Sequence, residues 1–270
     1  MYAGSTLKYL KYFDAWFGVH QKIDRLAYRN LKQLLPNVVF PTPTQIIKFE
    51  GIDGPDGIKR KSPGYNEPSH FFDPLNSDGA ELPKFLTLHH QALKNALSKK
   101  DTVRASFEAA WLAHAIVDGL TPAHHFPYEE ELNKLRGSDA PSRSSVRQKL
   151  VIPGSSVREK LHNNWKMWGE SGLLSTHIAY EMRVAVLTVP YSFKSVQVTA
   201  ADLKEFRTLG FDNYFKRVSE QIAAMSTYDA YRTGGWNAEL RRAVTKEIMP
   251  KMIRTVTLAW HDAATAKAAK

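Results

Sequence analysis

An all-α, single-domain fold is the prediction for this chain of 270 residues, and three observations make it. Apolar residues recur at helical spacing over much of the length. No segment alternates convincingly in the two-residue rhythm of a strand, and the one long stretch without periodicity is rich in turn formers. A hydrophobic content of 43% and a charged content of 24% are those of an ordinary globular protein.

Taken in order, Leu7, Leu10, Phe13, Phe17, Ile23, Leu26 and Leu31 mark a helical segment between residues 5 and 35, which ends at Pro36. Residues 36–82, rich in Pro, Gly, Asp and Asn, read as a long irregular excursion, and such loops inside a domain are usually functional. Helical pattern returns at 83–100 and, strongly, at 102–118. Residues 136–163 contain Ser, Pro and Arg and read as a surface insertion that becomes helical at its end. Further helices are expected at 174–189, 201–226 and 237–264, with a frayed tail at 265–270. One domain is expected to cover residues 1–270.

The chain contains no cysteine, which excludes disulfides and thiolate metal sites, so any metal must be held by His, Asp or Glu. Thirty-seven Lys and Arg against 27 acidic residues give a formal charge of +10, a balance that favours encounter with polyanions. The first twenty residues are interrupted by Lys8, Lys11 and Asp14 before an apolar run reaches signal length, and no stretch is long enough to span a membrane. As given, the chain reads as cytoplasmic; it would be secreted if a leader had been removed.

The stretch HAIVDGLTPAHH, residues 114–125, concentrates the chemistry. His114 and Asp118 are four apart and share a helix face; Gly119 lets the chain leave the helix, and Pro122 fixes a turn that returns His124. A buried Asp on a helix that also carries Phe107, Trp111 and Ile116 is costly unless it is paired. In the excursion, Asp53, Asp56, His70 and Asp73 lie among turn residues, where side chains of these types are ordinarily solvated. His89 and His90, adjacent on a helix, read as structural, and His125 as an assisting group at most.

Together, PSHFFDP and AHAIVDGLTPAHH resemble the bacterial zinc-dependent phospholipase C family, whose superfamily also contains the fungal single-strand-specific nucleases. The resemblance covers roughly residues 16–185 and concentrates in those two segments. It implies that Asp56, His70, His114 and Asp118 hold a first zinc and that Asp118 bridges to a neighbour bound in part by His20. His124 would open a separate site, completed by a His-x3-acid pair. His177 and Glu181 supply that pair with the family's aromatic residue between them, whereas His162 is followed at the same spacing by Lys166.

Family members also use a processed amino-terminal Trp as a ligand. Trp16 lies near His20 but is internal and reads as core, so two to three zinc ions are expected. Asp56 would further orient the attacking water or accept its proton. Lys59, Arg60 and Lys61 would stand at the mouth of the site and attract a phosphate. The aromatic residues of the family's choline pocket do not carry over, since Gly57 follows Asp56 and Glu67 stands three before His70.

The implied activity is phospholipase C-like hydrolysis of a phosphodiester by metal-activated water, with peripheral membrane contact. A single-strand nuclease, with Phe71, Phe72 and Tyr128 available for stacking on bases, is the alternative within the superfamily. A metal-binding protein without turnover is the alternative outside it.

Overall fold

The computed structural model describes residues 1–2, 17–63, 67–68, 70–75, 80–137 and 143–266. Helix α1 is Val19–Leu34, followed by the short α2 (Pro43–Ile47) and α3 (Pro55–Lys61) with a 3-10 turn at Gly51–Asp53 between them. The long α4 (Glu81–Ser98) and α5 (Thr102–Gly119) come next, then a 3-10 turn at Pro122–His124. Helices α6 (Tyr128–Arg136), α7 (Val146–Leu150), α8 (Val157–Trp168) and α9 (Leu173–Thr188) follow. The chain ends with α10 (Ala200–Ala223), α11 (Thr227–Gly234), α12 (Ala238–Ala243) and α13 (Met249–Thr265), the last entered through a π-helical turn at Val244–Ile248. No strand occurs among the described residues.

Helices α4 and α5 form the most extensive pair, and α13 packs across α1, α4 and α5. The reason is legible in α5, where small residues (Ala105, Ala109, Ala110, Ala113, Ala115) are buried and let neighbouring backbones approach. Trp260 of α13 fills one such approach and donates its indole N–H to the Ala109 carbonyl at 3.2 Å. Burial on nearly all sides leaves α5 no solvent-facing stripe, so polar side chains on it must find partners inside the protein.

The excursion at 36–82 is more ordered than its composition suggests. Thr42 and Gln45 form a reciprocal capping box, and Pro43 and Pro55 stand in the first turns of α2 and α3, where a missing N–H is harmless. Prolines that read as breakers therefore start helices here. Similarly, the segment at 136–163 holds two helix starts, each capped by a serine side chain, Ser145 and Ser156. Helix α6 has no counterpart among the sequence expectations.

Gly119 ends α5 for another reason than the one its sequence context suggests. Its φ is not positive; a Cβ there would lie 2.5 Å from Phe215 and 2.6 Å from Leu82. The residue permits close packing, and its carbonyl accepts the His125 Nε2 proton at 2.9 Å. Trp16 and most of the 265–270 tail lie outside the described residues.

Candidate metal centre

Five stretches of chain, with α5 and the turn that follows it taken as one, deliver imidazoles and carboxylates to the C-terminal end of α5. His20 comes from the first turn of α1, Asp56 from the first turn of α3, and His70 from the loop behind it. His114 and Asp118 stand one turn apart on α5, His124 sits in the following 3-10 turn, and His177 and Glu181 stand one turn apart on α9. A backbone bond from Phe72 N to His124 O, 3.1 Å, ties the His70 loop to that turn. A sixth segment was not anticipated. Residues 1–2 lie against α1, with Val19 N donating to Tyr2 O at 2.8 Å, and this buries the Met1 amine within the same cluster.

Asp118 is the hub. Its Oδ2 lies 3.2 Å from His114 Nε2 and 3.6 Å from His70 Nε2, and Asp56 Oδ1 closes that group at 2.9 Å from His70 Nε2 and 3.7 Å from His114 Nε2. Its Oδ1 lies 3.3 Å from the Met1 amine and 3.5 Å from His20 Nε2, while His20 Nε2 is 2.9 Å from the Met1 carbonyl oxygen. A third group centres on Glu181 Oε1, 3.0 Å from His124 Nε2, 3.3 Å from His177 Nε2 and 3.1 Å from the Met1 amine. The donor atoms of Asp56, His70 and His114, and likewise those of His124, His177 and Glu181, lie close enough together to hold one ion.

These spacings fit a bound metal ion. A tetrahedral ion with metal–ligand distances of ~2.0–2.1 Å separates its donors by about 3.3 Å along each edge. Hydrogen-bond chemistry points the same way. The Pro68 carbonyl, 2.6 Å from His70 Nδ1, can only accept, so Nδ1 carries the proton and Nε2 turns a lone pair toward the Asp56 carboxylate. Two acceptors face each other there unless a cation lies between them. Asp118 Oδ2, His114 Nε2 and His124 Nδ1 are buried without a hydrogen-bond partner among the described residues, a costly state for polar atoms that a bound cation relieves.

Electrostatics sort the imidazoles. Burial pushes His70 down, with the Lys59 charge adding to the effect, and burial with the amino-terminal charge holds His124 down at about 3. Both are therefore neutral at physiological pH, the form that ligates metal. Burial would also lower His114, but Asp118 and Glu50 outweigh it and raise it well above its ordinary value. Burial alone would raise Asp118; the charges of His114 and the amino terminus hold it well below the usual carboxylate range.

No protein-family model matches the chain, and no curated protein matches it either. The residues themselves carry the argument from here.

Glu50 and Met1 had no signal in the sequence reading. Glu50 is buried before the 3-10 turn and accepts the His114 Nδ1 proton at 3.0 Å, which turns Nε2 toward Asp118. His20, Glu50 and His114 also lie within reach of one ion. His162 is exposed on α8, away from this centre, and Asp53 and Asp73 are exposed, Asp73 accepting the Leu75 N–H at 2.9 Å in a turn.

A cavity of 180 Å³ opens onto the centre between Asp56, His70, His124, His177 and Glu181. Its polar rim is Lys59, Arg143, Lys149 and Glu129, with Arg143 3.8 Å from Glu129 and Lys149 paired with Glu67; its apolar wall is Phe71, Tyr128, Leu132, Leu150, Met167 and Leu174. Lys59 lies 4.2 Å above the Phe71 ring, which stacks on Tyr128 at 5.2 Å. Arg60 and Lys61 are exposed on α3 and do not line the cavity. Gly57 is pressed against the preceding turn, where a Cβ would lie 1.9 Å from the Ile52 carbonyl oxygen, so no aromatic side chain fits at that position.

Proposed function

We propose that this protein is a zinc-dependent phosphodiester hydrolase of the phospholipase C type. The observation that carries the reading is the Asp118 carboxylate, each of whose oxygens points at its own set of nitrogen and oxygen donors at tetrahedral spacing. Asp56, His70, His114 and Asp118 would hold one ion. His20, Asp118 and the amine and carbonyl of Met1 would hold a second. His124, His177 and Glu181 would hold a third, with its remaining position open to the cavity, the arrangement that distinguishes catalytic from structural zinc.

Bound zinc supplies hydroxide near neutral pH by lowering the pKa of coordinated water to ~7, and it neutralises phosphoryl charge. The protein's own groups do the rest. Asp56 borders the cavity with its side chain 23% exposed, so its carboxylate can orient a water or take its proton. Lys59 would draw an anionic ester toward the ions, Arg143 and Lys149 being paired with Glu129 and Glu67, and the apolar wall would receive its organic part. A cavity of this size suits a headgroup-sized ester. The cation of Lys59 already covers Phe71, and no ring fits at Gly57, so anionic or neutral headgroups are favoured over choline.

The deciding experiment combines zinc content by elemental mass spectrometry with hydrolysis assays on phosphatidylglycerol, phosphatidylcholine and single-stranded DNA. Zinc in a ratio of two to three per chain and cleavage of the anionic lipid are expected. Cleavage of DNA alone would move the protein to the nuclease branch, a reading that the Phe71–Tyr128 stack favours. Zinc without turnover on any ester would reduce it to metal binding, and no zinc after reconstitution would remove the centre itself.

A further inference from the structure

Along α8 only Met167 is buried. The opposite side exposes Val157 (78%), Leu161 (68%), Trp165 (69%) and Trp168 (43%). At 100° per residue these four fall within an arc of about 80°, which makes them one continuous stripe rather than scattered surface residues. The helix is self-supporting in this position. The Ser156 side chain accepts the Glu159 N–H at 3.2 Å, and the Glu159 carboxylate accepts the Ser155 N–H at 2.7 Å.

Charge borders the stripe. Arg158 and Lys160 follow on its two sides, and Lys166 and Arg147 are likewise exposed. Residues 143–168 hold six Lys or Arg against the single acidic Glu159. The stripe is also continuous with the cavity of the metal centre. Trp168 donates its indole N–H to the Leu150 carbonyl at 2.8 Å; Leu150 is itself 42% exposed and lines the cavity, as Met167 does from the inner face of α8.

We infer that α8, together with Leu150, seats the protein on an anionic lipid surface. Apolar residues on one face with Lys and Arg at its edges are what a helix lying in the headgroup layer requires, and Trp settles at that level because its ring is amphipathic. Positive charge on both borders matches anionic headgroups, which surround an embedded helix on both sides. No helix among the described residues is long and apolar enough to cross a membrane, so the attachment is peripheral. Docking would bring the mouth of the cavity to the bilayer. The inference does not depend on the metal reading, since the stripe and its charges need no ion.

The test is sedimentation of the full chain, with zinc and after chelation, with vesicles of phosphatidylcholine alone or mixed with phosphatidylglycerol. Binding is expected with the mixed vesicles, with or without zinc, and it should weaken with added salt. A Leu161→Ser, Trp165→Ser double variant should bind on the order of tenfold less, as should Arg158→Glu with Lys160→Glu. These side chains are exposed, so circular dichroism should show unchanged folding. Absence of vesicle binding by the wild type at low salt would overturn the proposal. So would undiminished binding by both variants, or wild-type self-association that the serine variant abolishes, which would make a second copy the occupant.

Discussion

Glu108 and Asp118 stand on the same helix, and both are buried, with side chains 0% and 1% exposed. Each also faces histidine. Glu108 meets His89 Nδ1 at 2.5 Å on one oxygen and the Arg104 guanidinium on the other, so protein groups account for both. Asp118 faces four imidazoles and the Met1 amine, while neither of its oxygens meets an arginine or lysine. The difference teaches that burial and a histidine neighbour do not mark a metal centre. What marks it is convergence, with several imidazoles and carboxylates gathered within reach of one ion, as at Asp56, His70 and His114.

Replacing the two acids should separate them most sharply. Asp118→Ala is expected to lose both ions that would share the carboxylate, leaving at most one zinc per chain by elemental mass spectrometry. Glu108→Ala should keep its full zinc complement yet cost about 1–3 kcal/mol in denaturant unfolding, because it leaves the buried His89 imidazole without its partner while Arg104 turns to solvent. Equal zinc loss in both variants would erase the distinction between the two acids.

A smaller effect is expected one bond further out. Glu50 touches His114 rather than the proposed ions, so Glu50→Gln should keep the zinc stoichiometry and weaken affinity by about 10–100-fold in competition with a chromogenic chelator. Loss of a whole equivalent would instead make Glu50 a ligand, through the trio it forms with His20 and His114.

Asp262 gives the lower end of the scale. It lies 3.2 Å from His90 and 2.7 Å from Lys94, half open to solvent, and the His90 hydrogen bond holds its carboxyl down at about 2. A folded-state pKa below the unfolded value stabilises above the unfolded value, so this contribution should fade as pH falls from about 4 toward 2. Solvent screening limits it to less than ~1 kcal/mol. Acid titration of wild type against Asp262→Asn should differ only in that window; a difference that persists at neutral pH with no acid dependence would make the contact one of packing.

Much of this was legible in the sequence. The all-α fold followed from periodicity, and His114 with Asp118 followed from residues four apart on a helix. Between His177 with Glu181 and His162, the sequence offered only Lys166 as a guide, standing where an acid would be needed; His162 is exposed on α8. What the sequence hid depended on long-range placement. Nothing local marks Glu50, whose hydrogen-bond partner His114 is 64 residues away. Nothing in its side chain marks Met1, whose contacts with the cluster run through its terminal amine and its carbonyl oxygen. The apolar wall of the cavity was hidden likewise, because Met167 and Leu174 look like any helix core.

The donors of the candidate centre lie far apart along the chain: Met1 and Asp118 are separated by 117 positions, and His124 and Glu181 by 57. Closing loops of that size has to be compensated by contacts already formed, so the local packing of α4 against α5 is expected to precede the gathering of the donors. Zinc would then act after the folding transition state. Its expected signature is kinetic: chelation should accelerate unfolding while refolding proceeds at the same rate, and a slower refolding limb in stopped-flow traces would place the centre in the nucleus instead.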